Sequence, residues 1–285
     1  MDSGQQTSPG GAIDALLPVE IARKAEHIGA QKVRVDPVKL LALAVLAGAF
    51  IGLGAMFATT VMTGASGVVP FGMLKLVAGI VFSLGLILVV LGGAELFTGN
   101  TLMVMAWASG KVGLMEMLRA WTIVYAGNFI GAMGVALLVH LSGQPLGGNG
   151  AVAAVALKIA VDKVSLPIGQ AFFLGILCNV LVCLAVWLTY GARTTSDKVL
   201  AILFPVSAFV AAGFEHSVAN MYFVPLGLLI KASGIAVGLP GIELGGLTWF
   251  AFLASLIPVT AGNIVGGGVL VGGVYWFVYL RPDRY

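Results

Sequence analysis

The same eight-residue pattern occurs twice inside long apolar stretches of the chain. Residues 93–100 read GAELFTGN and residues 213–220 read GFEHSVAN, so both follow Gly-x-Glu-x-x-x-small-Asn. A glycine and a carboxylate are unfavourable in the middle of a membrane helix, so each pattern predicts a helix break. Two breaks at corresponding places in two halves are typical of transporters whose pathway lies near the middle of the bilayer.

The composition places these breaks in a membrane protein. The chain has 285 residues, of which 59% are hydrophobic and 9% charged. A soluble surface needs more charge than this, so we expect an all-α polytopic membrane protein. A channel domain at 40–280 would contain six spans, with the breaks in the second and fifth, at 40–63, 71–108, 115–142, 167–192, 198–231 and 247–280. Residues 143–166 and 232–246 are predicted to be the longest loops.

The N-terminal segment, residues 1–39, contains a short amphipathic stretch at 12–30. Its apolar side chains fall on one helical face, which predicts an interfacial helix on the membrane surface; they are Ile13, Leu16, Leu17, Ile21, Ala25 and Ile28. Such a helix can serve as a simple anchor or as a gate, and the sequence leaves both open.

The basic residues predict the orientation of the spans. Eleven of the fifteen Lys and Arg residues fall on one predicted side: Arg23, Lys24, Lys32, Arg34, Lys39, Lys111, Arg119, Arg193, Lys198, Arg281 and Arg284. Because cytoplasmic loops carry the excess of basic residues, both termini are expected in the cytoplasm, including the tail at 281–285. Three spans per half then give the halves opposite orientations, which is an inverted 3+3 repeat.

Each break leaves unpaired backbone N–H groups at the start of a half-helix, and such groups favour an anion. The two glutamates, Glu95 and Glu215, are expected to accept hydrogen bonds from freed backbone donors or nearby polar side chains, with a proton relay as the alternative. Further asparagines are expected to support the breaks: Asn100 and Asn220 as caps of half-helices, and Asn128 and Asn263 as braces within the repeated Gly-Asn-x-x-Gly words. The glycines of those words are typical of close helix packing.

A few side chains near the breaks are candidates for the pathway itself. His216 is the only histidine deep in a span, and histidine exchanges protons near neutral pH. Thr98 and Asn179 offer neutral hydrogen bonds at that depth or serve helix packing. Lys163 either draws anions to the outer mouth or is a solvated loop charge. Bulky residues either form an apolar constriction or belong to the core: Phe82, Leu86, Leu96, Phe97 and Phe209.

Two other classes of function fit the sequence less well. An intramembrane hydrolase built on His216 and Ser217 is disfavoured, because neighbouring helical residues point about 100° apart and do not form a nucleophile–base pair. A neutral-solute or water channel would explain two broken helices, but the paired Asn-Pro-Ala words of aquaporins are missing. We expect no cofactor, no metal and no nucleic-acid partner.

Several sequence motifs resemble those of the formate/nitrite transporter family, and they occur in the same order from about Leu16 to Arg281. They are GAELFTGN, GNFIGA, NVLVCLAVWLTYGAR, GFEHSVANMYFVPLG and IPVTAGNIVGGGVLVGGVYWFVYLR. The resemblance implies aquaporin-like protomers, assembled as a homopentamer among the lipids of a bacterial-type inner (plasma) membrane, that conduct formate, nitrite or hydrosulfide. It also implies roles for single residues: His216 as the central pore histidine, Thr98 as its partner, Asn179 on the same path, Lys163 in the vestibule, and Phe82, Leu86, Phe97 and Phe209 as constrictions.

Within that family the chain is most similar to the formate channel branch. Gly99-Asn100 after the ELFT word differs from the Ser-Thr pair of that branch and is closer to the nitrite and hydrosulfide branches. We therefore expect a formate channel in which His216 assists proton-linked permeation, with nitrite or hydrosulfide as the alternative.

Overall fold

A computed structural model describes residues 15–65, 67–235 and 243–282, and its regular elements are helices. They are α1 Pro18–Val33, α2 Pro37–Met62, α3 Phe71–Leu91, α4 Phe97–Asn100, α5 Val104–Ala108, α6 Leu114–Leu141, α7 Ala151–Val164, α8 Ile168–Gly191, α9 Thr195–Ala211, α10 Ser217–Ala232, α11 Trp249–Ile264 and α12 Val274–Tyr279. A 3₁₀ turn at Thr101–Met103 joins α4 to α5, and a π-helical stretch at Val265–Gly273 joins α11 to α12. The prediction of a helical membrane protein is confirmed.

Five helical stretches are long and apolar enough to cross a membrane: α2, α3, α6, α8 and the continuous run Trp249–Tyr279. Four of them agree with predicted spans to within a few residues, and α3 covers the first part of the predicted span 71–108. The fifth predicted span, 198–231, is divided between α9 and α10, which have 17 and 16 residues. The second predicted span continues beyond α3 into the short helices α4 and α5.

The prediction of a loop at 143–166 was wrong. This segment contains a 3₁₀ turn at Gln144–Leu146 and the helix α7, whose apolar side packs on α10. Gly227 of α10 allows the contact, because a Cβ there would collide with the side chain of Ala160. Part of the other predicted loop, residues 236–242, lies outside the described residues.

The amphipathic helix at the N-terminus begins later than predicted and packs on the protein. Ile21 and Ala25 are buried against α5 and α8, whereas Leu17 precedes the helix and is 65% exposed. Ile13 lies outside the described residues. Glu26, on the polar side, is buried and forms a 2.5 Å ion pair with Lys111. The contacts therefore dock α1 on the helical bundle.

The two halves of the chain repeat one order of elements. A short helix with a lysine in its last turn precedes a long helix, then a broken helix, then another long helix: α1 to α6 in the first half, α7 to α12 in the second. The Gly-x-x-x-Gly words pack the long helices in matching ways. A Cβ on Gly131 would collide with the carbonyl oxygen of Val45 in α2, and one on Gly266 with that of Ile176 in α8.

Candidate transport pathway

Glycine ends the helix before each break. Gly93 follows α3 with φ of 74°, and Gly213 follows α9 with φ of 73°, a region that glycine adopts without strain. The chain then runs extended through Leu96 or His216 into the next half-helix. The backbone N–H groups of Glu95 and Glu215 donate to Leu43 and Leu174, which docks the breaks on α2 and α8.

Asn128 and Asn263 brace the breaks with equivalent bonds. Asn128 Oδ1 accepts from the N–H of Phe97 at 2.8 Å, and its Nδ2 donates to the carbonyl of Glu95 at 2.9 Å. Asn263 Oδ1 accepts from the N–H of Ser217 at 3.0 Å, and its Nδ2 donates to the carbonyl of Glu215 at 2.9 Å. Each buried amide thus uses one of the freed backbone donors that we expected to be available to an anion.

A lysine, a glutamate and an asparagine form a polar cluster behind the first break. Lys32 Nζ lies 2.9 Å from Glu95 Oε2 and donates to Asn100 Oδ1 at 2.8 Å. Asn100 Nδ2 in turn donates to Glu95 Oε2 at 2.8 Å, so its side chain does not cap the half-helix as expected. Burial disfavours the charged form of Lys32, but the adjacent carboxylate outweighs this effect and raises the pKa of Lys32 above its ordinary value.

The second break has the same kind of cluster. Lys163 Nζ lies 2.5 Å from Glu215 Oε1, and Asn220 Nδ2 donates to Glu215 Oε2 at 2.8 Å. Asn220 likewise does not cap α10, and its buried Oδ1 has no partner among the described residues. Lys163, expected in a loop, lies in the last turn of α7 and is neutralised by Glu215. Both glutamates are thus held by a lysine and an asparagine.

Two cavities approach each other between these clusters. We name the cavities by the orientation predicted from the sequence. The cavity called inner has a volume of about 200 Å³ and is lined by residues that include Lys32, Glu95 and Asn100. The cavity called outer has a volume of about 90 Å³ and is lined by residues that include Lys75, Lys163 and Asn220.

An apolar zone separates the two cavities. Leu86 and Leu96 border the inner cavity, and Phe82, Phe209 and His216 border the outer one. All five residues also line a void of about 10 Å³ between the cavities. The rings of Phe82 and Phe209 meet edge to face with centroids 5.8 Å apart. The structure therefore places four of the five predicted constriction residues at one narrow zone beside the histidine.

The cavities also give the relative direction of the two broken helices. The end of α3, near Val89 and Val90, lines the inner cavity, whereas the end of α9, near Phe209 and Val210, lines the outer one. The start of α3, at Lys75, is on the outer side. The two helices therefore run in opposite directions, as an inverted repeat requires.

His216 is the N-terminal cap of α10 and is held at both ring nitrogens. Its Nδ1 accepts from the N–H of Ala219 at 3.0 Å, and its Nε2 lies 3.0 Å from Thr98 Oγ1. Because Nδ1 acts as an acceptor, the ring proton of the neutral imidazole belongs on Nε2, which donates to Thr98. The ring of Phe209 stacks on that of His216, with centroids 6.0 Å apart. Ser217 Oγ has no hydrogen-bond partner among the described residues, so no serine–histidine pair exists there.

Two predicted pathway residues lie elsewhere. The ring of Phe97 packs edge to face on Trp121 and Tyr125 of α6, so this residue supports the half-helix and does not line the two cavities or the void. Asn179 is fully buried, and its Nδ2 bonds the carbonyls of Thr98 and Asn263, at 3.2 and 2.6 Å. It therefore ties one break to the other behind the pathway.

The sequence reasoning missed the partners of the glutamates. Lys32 was counted only for orientation, and Lys163 only as a vestibule charge. The available signal was positional, since each lysine precedes the first long helix of its half. Lys75, which lines the outer cavity, was also passed over as an ordinary basic residue outside the cytoplasmic set.

These features define a helical membrane transport protein with one apolar constriction between two cavities. The formate/nitrite transporter family model matches residues 19–277. The chain belongs to the formate/nitrite transporter family. Because this family and the relatives given next are transporters and channels, the protein is not an enzyme.

Similar proteins cover nearly the whole chain. "Formate channel FocA" of Escherichia coli (strain K12) is 46% identical over 276 residues, which is 95% of this chain and 96% of that protein. "Formate channel FocA" of Haemophilus influenzae is 40% identical over 90% of this chain and 92% of that protein. A solved "pentameric formate channel with formate bound" superposes with a TM-score of 0.80 and 43% identity, covering 86% of this chain and 98% of the other.

Proposed function

We propose that this protein is a channel for formate, assembled as a homopentamer with one pathway per protomer. The observation that carries the proposal is the His216–Thr98 pair at the meeting point of two breaks, between two cavities and beside an apolar constriction. The similarity to formate channels and to a pentameric formate-bound structure supports both the substrate and the assembly. Native mass spectrometry in detergent should find five copies; a stable monomer or trimer would refute the assembly.

The apolar constriction determines which solutes can permeate, because it disfavours charged ones. An ion at the bilayer centre costs about 2.5–3.5 kcal/mol even on the most lenient scales. The Nε2–H of His216 is the polar donor at the narrow zone, held in place by the hydroxyl of Thr98. In the proposed mechanism formate takes over this hydrogen bond as it leaves water, which offsets part of the cost.

Proton-linked permeation requires more than this bond. A neutral imidazole protonated at Nε2 is a hydrogen-bond donor, and giving a proton to formate takes an imidazolium. Forming it means placing a proton from water in the outer cavity on Nδ1, which then releases the N–H of Ala219 at the start of α10. His216 then passes the Nε2 proton to formate, and formic acid crosses the apolar zone uncharged. The neutral imidazole that remains carries its proton on Nδ1, and it returns to the starting tautomer by losing that proton to water and taking one up at Nε2. In this mechanism proton transfer is linked to loosening of the first turn of α10.

The test is radiolabelled formate uptake into proteoliposomes at pH 5 and pH 7.5, with unlabelled nitrite as competitor. Strong uptake that nitrite inhibits weakly supports the assignment, and little formate uptake with clear nitrite flux refutes it. His216→Phe should abolish the pH dependence and lower uptake by about tenfold or more, the equivalent of one lost charge-assisted hydrogen bond. His140→Phe, in the last turn of α6, is the matched control and should behave as wild type. An unchanged pH profile in His216→Phe would exclude the histidine as proton donor.

The topology is part of the proposal. Residues 1–39 form a cytoplasmic segment that includes α1, residues 40–280 form the membrane channel, and residues 281–285 form a cytoplasmic tail. Lys24, Lys111 and Arg193 lie on the side of the inner cavity, which supports a cytoplasmic position for that side. The bacterial formate channels among the relatives support an inner-membrane location.

A further inference from the structure

Lys163, which the sequence predicted to attract anions, is neutralised by an ion pair, whereas the nearby Lys75 is not. Lys163 borders the outer cavity, but its ammonium is 2.5 Å from Glu215. Lys75 borders the same cavity, and it has no ion-pair partner within residues 15–65, 67–235 and 243–282. Its ammonium lies 5.7 Å from the ring centroid of Phe71, a contact that leaves the positive charge uncompensated.

The outer cavity therefore carries one net positive charge in its lining and first contacts. The positive charges are those of Lys75 and Lys163, and the carboxylate of Glu215 balances the second of these. The one lysine that lines the inner cavity, Lys32, is paired with Glu95. Lys24 contacts the edge of that cavity through the carbonyl of Tyr190 but does not line it. Among the described residues, Lys75 is thus the lysine that lines a cavity without an ion-pair partner.

The internal repeat shows that this charge is an addition to the shared architecture. Glu95 and Glu215 are 120 residues apart, and the same spacing relates Lys75 of α3 to Thr195 of α9. The lysines of the two polar clusters have counterparts in each half, whereas the position equivalent to Lys75 holds a threonine and the next lysine of α9, Lys198, lies about one turn further on. A feature that the repeat does not require, placed at the mouth of the pathway, points to a role in handling the anion.

We propose that Lys75 forms an outer binding site for a small monovalent anion, which it holds in the outer cavity before the anion reaches the constriction at Phe82 and Phe209. The proposal rests on the function proposed above. The ammonium acts as a point charge, so the site recognises the charge of the anion and not its shape. Lys75 should therefore set the half-saturating concentration of the anion and leave the maximal rate, which the constriction limits, nearly unchanged.

The test changes the charge at one position in a folded protein. Lys75→Cys is purified in detergent and modified with a methanethiosulfonate reagent that carries either a trimethylammonium-ethyl or a sulfonatoethyl group, and is then reconstituted. A unit charge about 4 Å from an anion in water is worth about 1 kcal/mol, or about fivefold in binding. The half-saturating formate concentration should rise about fivefold in Lys75→Cys, return toward wild type with the positive group, and rise further with the negative group. The same value for all three states would overturn the proposal.

Two controls separate this effect from others. The wild type treated with the same reagents should not respond, because Cys178 and Cys183 are fully buried. Lys158→Cys places the same groups on an exposed position of α7 outside the cavity lining, where the native lysine pairs with Asp162. Lys158 is close enough to act electrostatically on Lys75, so this position should respond in the same order but more weakly. An equal response to charge at this position would mean that general surface charge, and not Lys75, controls uptake, and would refute the site.

The experiment also keeps the two proposals apart. If the wild type carries nitrite and not formate, the formate assignment fails, and the same series is then measured with nitrite. The order of the three charge states in that series decides the role of Lys75 independently. If the wild type carries formate and the charge states do not differ, the formate assignment stands and the outer site is refuted.

Discussion

The inner and outer clusters contain the same three residue types, but they differ in how far water reaches them. The side chains of Lys32 and Glu95 are 25% and 10% exposed, whereas those of Lys163 and Glu215 are 17% and 3% exposed. Lys32 also donates to Asn100 Oδ1, while the corresponding oxygen of Asn220 has no partner among the described residues. One architecture thus supports a well-satisfied inner cluster and a drier, less satisfied outer one.

This difference has a consequence for charge. A buried ion pair gives little net stability, but removal of one partner is costly because the other charge stays buried. The outer glutamate therefore neutralises a lysine that water reaches less easily. Among the described residues, Lys75 is then the lysine of the outer cavity that has no ion-pair partner.

The largest expected effect comes from removal of one carboxylate. Glu215→Gln leaves Lys163 without a counter-charge and should cost about 3–5 kcal/mol of stability, the usual cost of breaking a buried pair. Glu95→Gln should cost less, because Lys32 is more exposed and keeps its bond to Asn100. Thermal unfolding of the purified protein in detergent measures both.

The control for this comparison is the double variant Lys163→Met/Glu215→Gln. It removes both charges and should recover much of the stability lost in Glu215→Gln. An equal loss for Glu95→Gln and Glu215→Gln, or a double variant no better than the single one, would contradict the difference between the clusters.

The next largest effect concerns a feature that the two halves share, the close helix contact at a glycine. Gly131→Ala and Gly266→Ala each place a Cβ against a backbone carbonyl, of Val45 and of Ile176. Because backbone atoms cannot turn aside, each change should destabilise the protein by about 1–3 kcal/mol. Gly134→Ala is the matched control on α6, since a Cβ there meets nothing within 4 Å, and it should be neutral or slightly stabilising. Thermal unfolding would contradict the close packing if Gly131→Ala behaved like Gly134→Ala.

The sequence allowed prediction of those features that depend on repeated, chemically unusual residues. The breaks and the bracing asparagines could be found because Glu and Asn are rare in apolar spans and recur at the same spacing from a glycine in both halves. Helix α7 was missed because a short apolar segment between long spans resembles a loop when only hydropathy is considered. The lysine partners of the glutamates were missed because ion pairs between distant segments leave no local pattern.

The break itself limited the prediction of individual side-chain directions. Leu96 and Phe97 are neighbours, yet Leu96 faces the pathway and Phe97 packs on α6. Leu96 has an extended backbone, so the helical phase of α3 cannot be carried into α4. Asn179 turns away from the pathway toward Gly267, where a Cβ would collide with its amide. The space for the Asn179 amide exists because Gly267 has no side chain, and the spacing of residues in the sequence does not show that these two positions meet.

The smallest expected change in stability concerns the pair at the centre. Thr98→Val keeps the shape of the side chain and removes the hydroxyl that holds His216 Nε2. It should lower the free energy of unfolding by only about 1 kcal/mol, because the ring borders a cavity where water can replace the bond.

The effect of Thr98→Val on transport should be clearer. With the ring no longer held, formate uptake should fall by several fold and the pH profile should shift, whereas Thr98→Ser should restore both. Val218 occupies the corresponding position in the second half-helix, so Val218→Thr adds a hydroxyl at the equivalent place as a control. If Thr98→Val kept the wild-type pH profile, Thr98 would be a packing residue, and the positioning of His216 would have to come from Ala219 and Phe209 alone.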